Sequence, residues 1–101
     1  MNGIYYELNI VYAIARKNMD NDTYEYFDGC DMLGRDKYEI ICLRRTKWIS
    51  DLKKCSLNPK IERVNQILKG ILKYDSESNY KYYILEAKTT ARISKYIEVN
   101  I

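Results

Sequence analysis

The sequence predicts an α+β domain in which an antiparallel sheet of about five strands is covered on one face by two helices. Three observations predict it: a period-2 apolar pattern at the N-terminus, an apolar stripe at helical spacing in the middle, and a second aromatic and aliphatic run towards the C-terminus. A chain of 101 residues fits a single domain, residues 1–101. Folding at that size withdraws about two-thirds of the unfolded surface from water.

From Ile4 to Ile14 every even position is apolar, which predicts a first strand over Ile4–Ala15 with one buried face. Arg16 and Lys17 end it, and the polar run Asn18–Asp22 has turn composition, returning the chain through a second strand at Thr23–Phe27. Asp28–Asp36 holds two glycines and three acids without periodicity and reads as a loop. A third strand is expected at Tyr38–Leu43.

Thr46 then offers an N-cap, with Trp48, Ile49, Leu52 and Cys55 placed for one side of a short helix. Asn58 and Pro59 announce a second helix as cap and first residue, followed by the stripe Ile61, Val64, Ile67, Leu68, Ile71 and Leu72. Gly70 weakens that stripe by roughly 1 kcal/mol against alanine. Tyr80–Ala87 reads as a strand. Ile93, Ile97, Val99 and Ile101 alternate with polar residues as a last strand would, although Thr89 or Thr90 could cap a helical turn instead. The expected order is three strands, two helices and two strands.

Composition excludes more than it assigns. The chain has no histidine, which removes the histidine triads, the two-histidine zinc helix and the imidazole general base. The three cysteines, Cys30, Cys42 and Cys55, lack any CxxC pair, so no structural zinc site closes within one chain. They read as buried thiols, or as two buried and one reactive. The acids Asp20, Asp22, Glu25, Asp28, Asp31 and Asp36 do not fall in calcium-loop order, and Gly29 and Gly34 match no phosphate-binding loop. No cofactor or metal is expected. Without an 18-residue apolar run or signal-peptide pattern, a chain that stays in the cytoplasm is expected, away from membranes.

Charge is uneven. Residues 1–36 carry a net minus four and residues 43–73 a net plus seven, within a chain total of plus three. Arg44, Arg45, Lys47, Lys53, Lys54, Lys60, Arg63, Lys69 and Lys73 thus form a basic region expected on the helices. It suits phosphates or an acidic protein, or simply a solvated helix face. Eleven tyrosines add area suited to interfaces. Tyr5, Tyr24, Tyr26 and Tyr83 are expected on the sheet face the helices leave open. With Asp20 and Asp22 they suggest an acidic tyrosine hairpin that meets protein rather than RNA.

One catalytic string is present: Glu86-Ala87-Lys88 is similar to the ExK element of restriction-endonuclease-like nucleases, with Asp75 as an upstream acid. That resemblance implies magnesium held by Glu86 and a water positioned by Lys88.

The tyrosine-rich opening strand Ile4–Ala15, the Thr46-Lys47-Trp48-Ile49-Ser50-Asp51-Leu52 helix start and the Asn58-Pro59 cap together resemble, in layout, small accessory proteins of bacteriophages and mobile elements, anti-CRISPR inhibitors among them. The resemblance implies a non-catalytic inhibitor or adaptor of a host protein or nucleoprotein complex, working in the host cytosol. Many such proteins are acidic DNA mimics, whereas this chain is net positive. A nucleic-acid-binding domain using the basic helices 44–73 is the alternative, and a magnesium-dependent nuclease the third.

Overall fold

The computed structural model describes residues 8–90. Four strands, β1 (Leu8–Asn18), β2 (Tyr24–Arg35), β3 (Ile41–Ile49) and β4 (Tyr80–Thr90), form one antiparallel sheet in the order β3-β2-β1-β4. A single α-helix, α1 (Ile61–Tyr74), packs mainly on β3 and β1, and a short 3-10 turn covers Leu52–Lys54.

β1 and β4 pair over eleven rungs, from Leu8 opposite Thr90 to Asn18 opposite Tyr80. β1 and β2 share only the three rungs next to their turn, Ala15–Tyr26, Arg16–Glu25 and Lys17–Tyr24. Beyond Tyr26 the two strands part, and Ser56–Asn58 fills the wedge. Ser56 N donates to Phe27 O at 3.2 Å, while Tyr12 and Asn58 exchange N–H···O bonds of 2.8 and 3.0 Å. The backbone groups that the parting strands release are satisfied by this insertion.

Side-chain alternation sorts the sheet into two faces. Ile14, Phe27, Ile41 and Leu43 meet Val64 and Ile71 of α1 in the core, with Tyr12, Trp48, Tyr82 and Ile84 packed around them. The helix sits very close to β3. A Cβ added to the buried Gly70 would lie 2.5 Å from Ile41 O and 2.9 Å from Leu43 Cδ2. Gly70 therefore permits the approach that buries Ile71 completely, which outweighs its helix-propensity cost.

Several sequence expectations need correction. The predicted helix beginning at Thr46 is not formed: Thr46–Ile49 ends β3, and only Leu52–Lys54 turns, as one 3-10 turn with the Asp51 side chain accepting from Lys53 N. Thr46 does not cap a helix because its N–H and hydroxyl both donate to Asp75 Oδ2, at 3.0 and 2.6 Å, at the C-terminus of α1. Trp48 Nε1 donates back to Thr46 Oγ1 at 2.9 Å, and the indole packs edge-on against Phe27. Arg45, at φ +55°, shifts the parity of β3, so Leu43 and Trp48 reach the core side although they are five positions apart.

Of the expected loop Asp28–Asp36, residues Asp28–Arg35 are strand, part of β2. Its register against β3 shifts between Phe27 and Gly29, Gly29 and Asp31, and Met32 and Gly34. Gly29 and Gly34 occupy φ +139° and +112°, a region glycine enters without penalty. The third strand begins at Ile41, not Tyr38, because Asp36–Ile40 forms the hairpin turn. The helix starts at Ile61 as the stripe requires, but Lys60 is its N-cap; Asn58 acts one step earlier by accepting from Lys60 N at 2.8 Å. Pro59 thus precedes the helix. The sheet has four described strands and one α-helix instead of five and two. The expected strand over Ile93–Ile101, residues Ile4–Glu7 of the first strand, and Tyr5 lie outside the described residues.

Candidate binding surface

The face of β1 and β4 turned away from the helix is built of small and aromatic residues. Its rungs follow from the register. Tyr26, Ala15 and Tyr83 align across β2, β1 and β4, and the next rung towards the β1–β2 turn is Tyr24, Lys17 and Lys81. Ala15 is fully buried, as its small side chain sits between the two larger rings of its rung. Tyr24 is 44% exposed. Its ring lies 6.3 Å from that of Tyr83, tilted by 48°, and the Lys17 and Lys81 ammonium groups stand 5.8 Å from the Tyr24 and Tyr83 ring centres. Two tyrosines and two lysines thus form one contiguous patch.

The turn beside the patch is rigidly tied. Asn18 N donates to Thr23 O at 2.8 Å, Asn18 Oδ1 accepts from Asp20 N, and Asn21 Oδ1 accepts from both Thr23 N and Thr23 Oγ1. Met19 N donates to Asn79 O at 2.9 Å, which fixes the start of β4 to the same end.

The acidic character expected of this hairpin is largely cancelled by pairing. Glu25 takes Arg16 at 3.0 Å on the helix side, Asp22 takes Lys17 at 3.3 Å, Asp31 takes Arg45 at 3.5 Å and Asp36 takes Lys73 at 2.6 Å. Asp20 and Asp28 form no ion pair with a described residue. The Asp22 hydrogen bond and charge raise the Lys17 pKa above the ordinary lysine value, so Lys17 stays cationic.

Arg16 is the structural counterpart on the opposite face. Only 11% of its side chain is exposed; its guanidinium lies 4.4 Å from the Trp48 ring centre and 3.9 Å from that of Tyr80. Cation–π attraction on both sides and the Glu25 ion pair make it a clamp between β1, β3 and β4.

The expected basic face is dispersed. Arg44, Arg45 and Lys47 lie on β3, Lys53 and Lys54 on the 3-10 turn, and Arg63, Lys69 and Lys73, with Lys60 as cap, belong to α1. Arg45 and Lys73 are held by Asp31 and Asp36, and Arg63 Nη2 contacts Met32 Sδ at 3.3 Å. The structure therefore does not assemble residues 44–73 into a basic helical surface. Of the expected hairpin set, Asp20, Asp22, Tyr24 and Tyr26 do fall at one end of the sheet, and Tyr83 joins them. Lys17 and Lys81 complete the patch and were not singled out by the sequence, since their adjacency depends on β4 pairing with β1.

Asp36 organises the opposite end. Besides Lys73 its carboxylate accepts from Tyr74 Oη at 2.5 Å and from Tyr38 N and Ile40 N at 2.8 and 3.0 Å. The Lys73 hydrogen bond, then that of Tyr74 and the two N–H groups, hold its pKa well below the carboxylate range against a smaller opposing effect of burial. The Tyr74 phenol is driven up chiefly by Asp36 and secondarily by the Cys42 thiol. Burial raises the Cys30 and Cys55 thiols, which keeps them protonated and unreactive.

Asp75 and Glu86 do not converge: Asp75 is committed to Thr46, and Glu86 lies opposite Tyr12 on β4. Among the described residues no group of three or more histidine, cysteine, aspartate or glutamate side chains is placed to hold a metal ion. A cavity of about 70 Å³ where Ser56–Asn58 meets Phe27 and Val64 is mostly apolar. Among the described residues no helix is long and apolar enough to cross a membrane. Comparison of the chain with models of protein families, with curated proteins and with solved structures returns no match.

Proposed function

We propose that the chain is a non-catalytic binding module whose contact surface is the end of the sheet carrying Tyr24, Tyr26 and Tyr83. One observation supports this reading above the others: Tyr24, 44% exposed, stands beside the half-buried Tyr83 ring and two lysines on the face opposite the core. Exposed aromatic groups of this kind supply large contact area at low rotamer cost. In its fuller form the reading is an inhibitor or adaptor of a larger protein or nucleoprotein complex, as in the phage accessory proteins whose layout the sequence resembles.

The test is co-purification with tagged wild type, Tyr83→Arg and Lys69→Glu chains. A component captured by wild type and Lys69→Glu but lost with Tyr83→Arg is the expected result. Loss with Lys69→Glu alone, or a captured set insensitive to Tyr83, overturns the assignment of the surface.

A further inference from the structure

Lys17 and Lys81 stand directly opposite each other across the β1–β4 ladder. Like charges in such a pair repel and are destabilising. Asp22 compensates one of them; Lys81 makes no ion pair with a described residue. The Tyr24 and Tyr83 rings flank this doubled charge. Cations in front of exposed rings complement a ligand that alternates anionic groups with flat, polarisable ones.

The patch is also distant from the ends of the described chain. Lys17 lies nine residues along β1 from Leu8, and Lys81 nine residues along β4 from Thr90, roughly 30 Å at about 3.3 Å per residue.

We propose that the Tyr24–Lys17–Lys81 rung together with Tyr83 binds single-stranded nucleic acid, the lysines receiving backbone phosphates and the tyrosine rings receiving bases. The proposal rests on reading the chain as a binding module and names the partner class of that same surface. A run of aspartates and glutamates alone would satisfy the lysines but offers no aromatic faces to the rings. Of the acids nearest this end, Glu25 is paired with Arg16 on the helix side and Asp22 with Lys17, which leaves Lys81 as the cation without an ion pair to a described residue. The Lys17 side chain is 26% exposed and its partner Asp22 is 79% exposed, and an ion pair that faces solvent in this way is weak enough for a phosphate to compete.

Fluorescence anisotropy with short labelled oligouridylate and oligothymidylate at low salt tests the proposal, with the duplex of the same length and a polyglutamate competitor as controls. Binding is expected for the single strands, with a log–log salt slope of about −1.4 for two phosphate contacts. Tyr83→Ala weakens it about tenfold, Lys81→Ala flattens the slope by about 0.7, and Lys69→Ala on the helix leaves it unchanged. Lys81→Ala, an exposed substitution, keeps the test valid if Tyr83→Ala perturbs folding. Absence of binding to either strand, equal binding of the duplex, full competition by polyglutamate, or a Lys69→Ala effect matching that of Lys81→Ala overturns the proposal. If oligonucleotides fail while Tyr83-dependent capture of a protein persists, only the partner class falls and the binding-module reading stands.

Discussion

The region under α1 and the β1–β4 end of the sheet are held together by different forces. Beneath the helix, Ile41, Leu43, Val64 and Ile71 are buried against one another, and Gly70 brings the helix backbone close enough to β3 to exclude any added Cβ. At the other end, backbone pairing over eleven rungs and the stacked Arg16 hold the strands, while the face away from the helix carries rings and ammonium groups in partial contact with water. Close packing leaves the first region no freedom to vary. The second leaves Tyr24 and Lys81 exposed, and the proposed contact surface lies there.

Substitutions should separate the two regions by the size of their effect. Ile71→Ala, which opens a hole at a completely buried position, is expected to cost roughly 2–5 kcal/mol in urea denaturation. Gly70→Ala should lose about 1–3 kcal/mol despite its better helix propensity, because its Cβ meets a backbone oxygen that has no rotamer to escape through; a stabilised variant would show that the helix is not seated as described. Arg16→Met keeps the stacking volume but removes the charge, and about 1–2 kcal/mol should go with the two cation–π contacts and the Glu25 pair. Tyr83→Ala and Lys81→Ala are expected to fall below these, with Lys81→Ala within about 0.5 kcal/mol of wild type, since it also removes the repulsion with Lys17. If Lys81→Ala proved as damaging as Arg16→Met, the distinction between a built end and a spare one would fail.

The helix-covered region should also reveal itself by acid. Asp36 has a lowered pKa in the folded chain, so near neutral pH it contributes stability. That contribution is present above the unfolded carboxylate value of about 4 and is lost as pH falls from there towards the depressed folded value. The melting temperature of wild type should drop across that interval, whereas Asp36→Asn should begin lower and show a shallower drop. A wild-type profile no steeper than that of Asp36→Asn would remove Asp36 as the tie between the β2–β3 turn and the end of α1.

Where burial followed a regular period, the residues announced their element. The alternation from Ile4 to Ile14 and the stripe from Ile61 to Ile71 were legible, and their described parts form β1 and α1. Where the backbone broke the period, they misled. Gly29 and Gly34 looked like loop punctuation but mark bulges in a long strand, and Thr46, read as a helix cap, instead donates to Asp75 at the end of α1. The tyrosines of the patch could be foreseen on an open face. Lys17 and Lys81 could not, since 64 residues separate them and only the placement of β4 beside β1 makes them neighbours. Likewise, the acidity of residues 1–36 is reduced at the surface, because Arg45 and Lys73, drawn from the basic region, pair with Asp31 and Asp36.

Amide hydrogen exchange of the full chain, measured with and without saturating single-stranded oligouridylate, tests the assignment of the binding surface most directly. Slowed exchange confined to residues 15–17, 24–26 and 81–85, with residues 61–74 unchanged, is the predicted result. Protection concentrated on the helix, or no change at any of these positions, would contradict it.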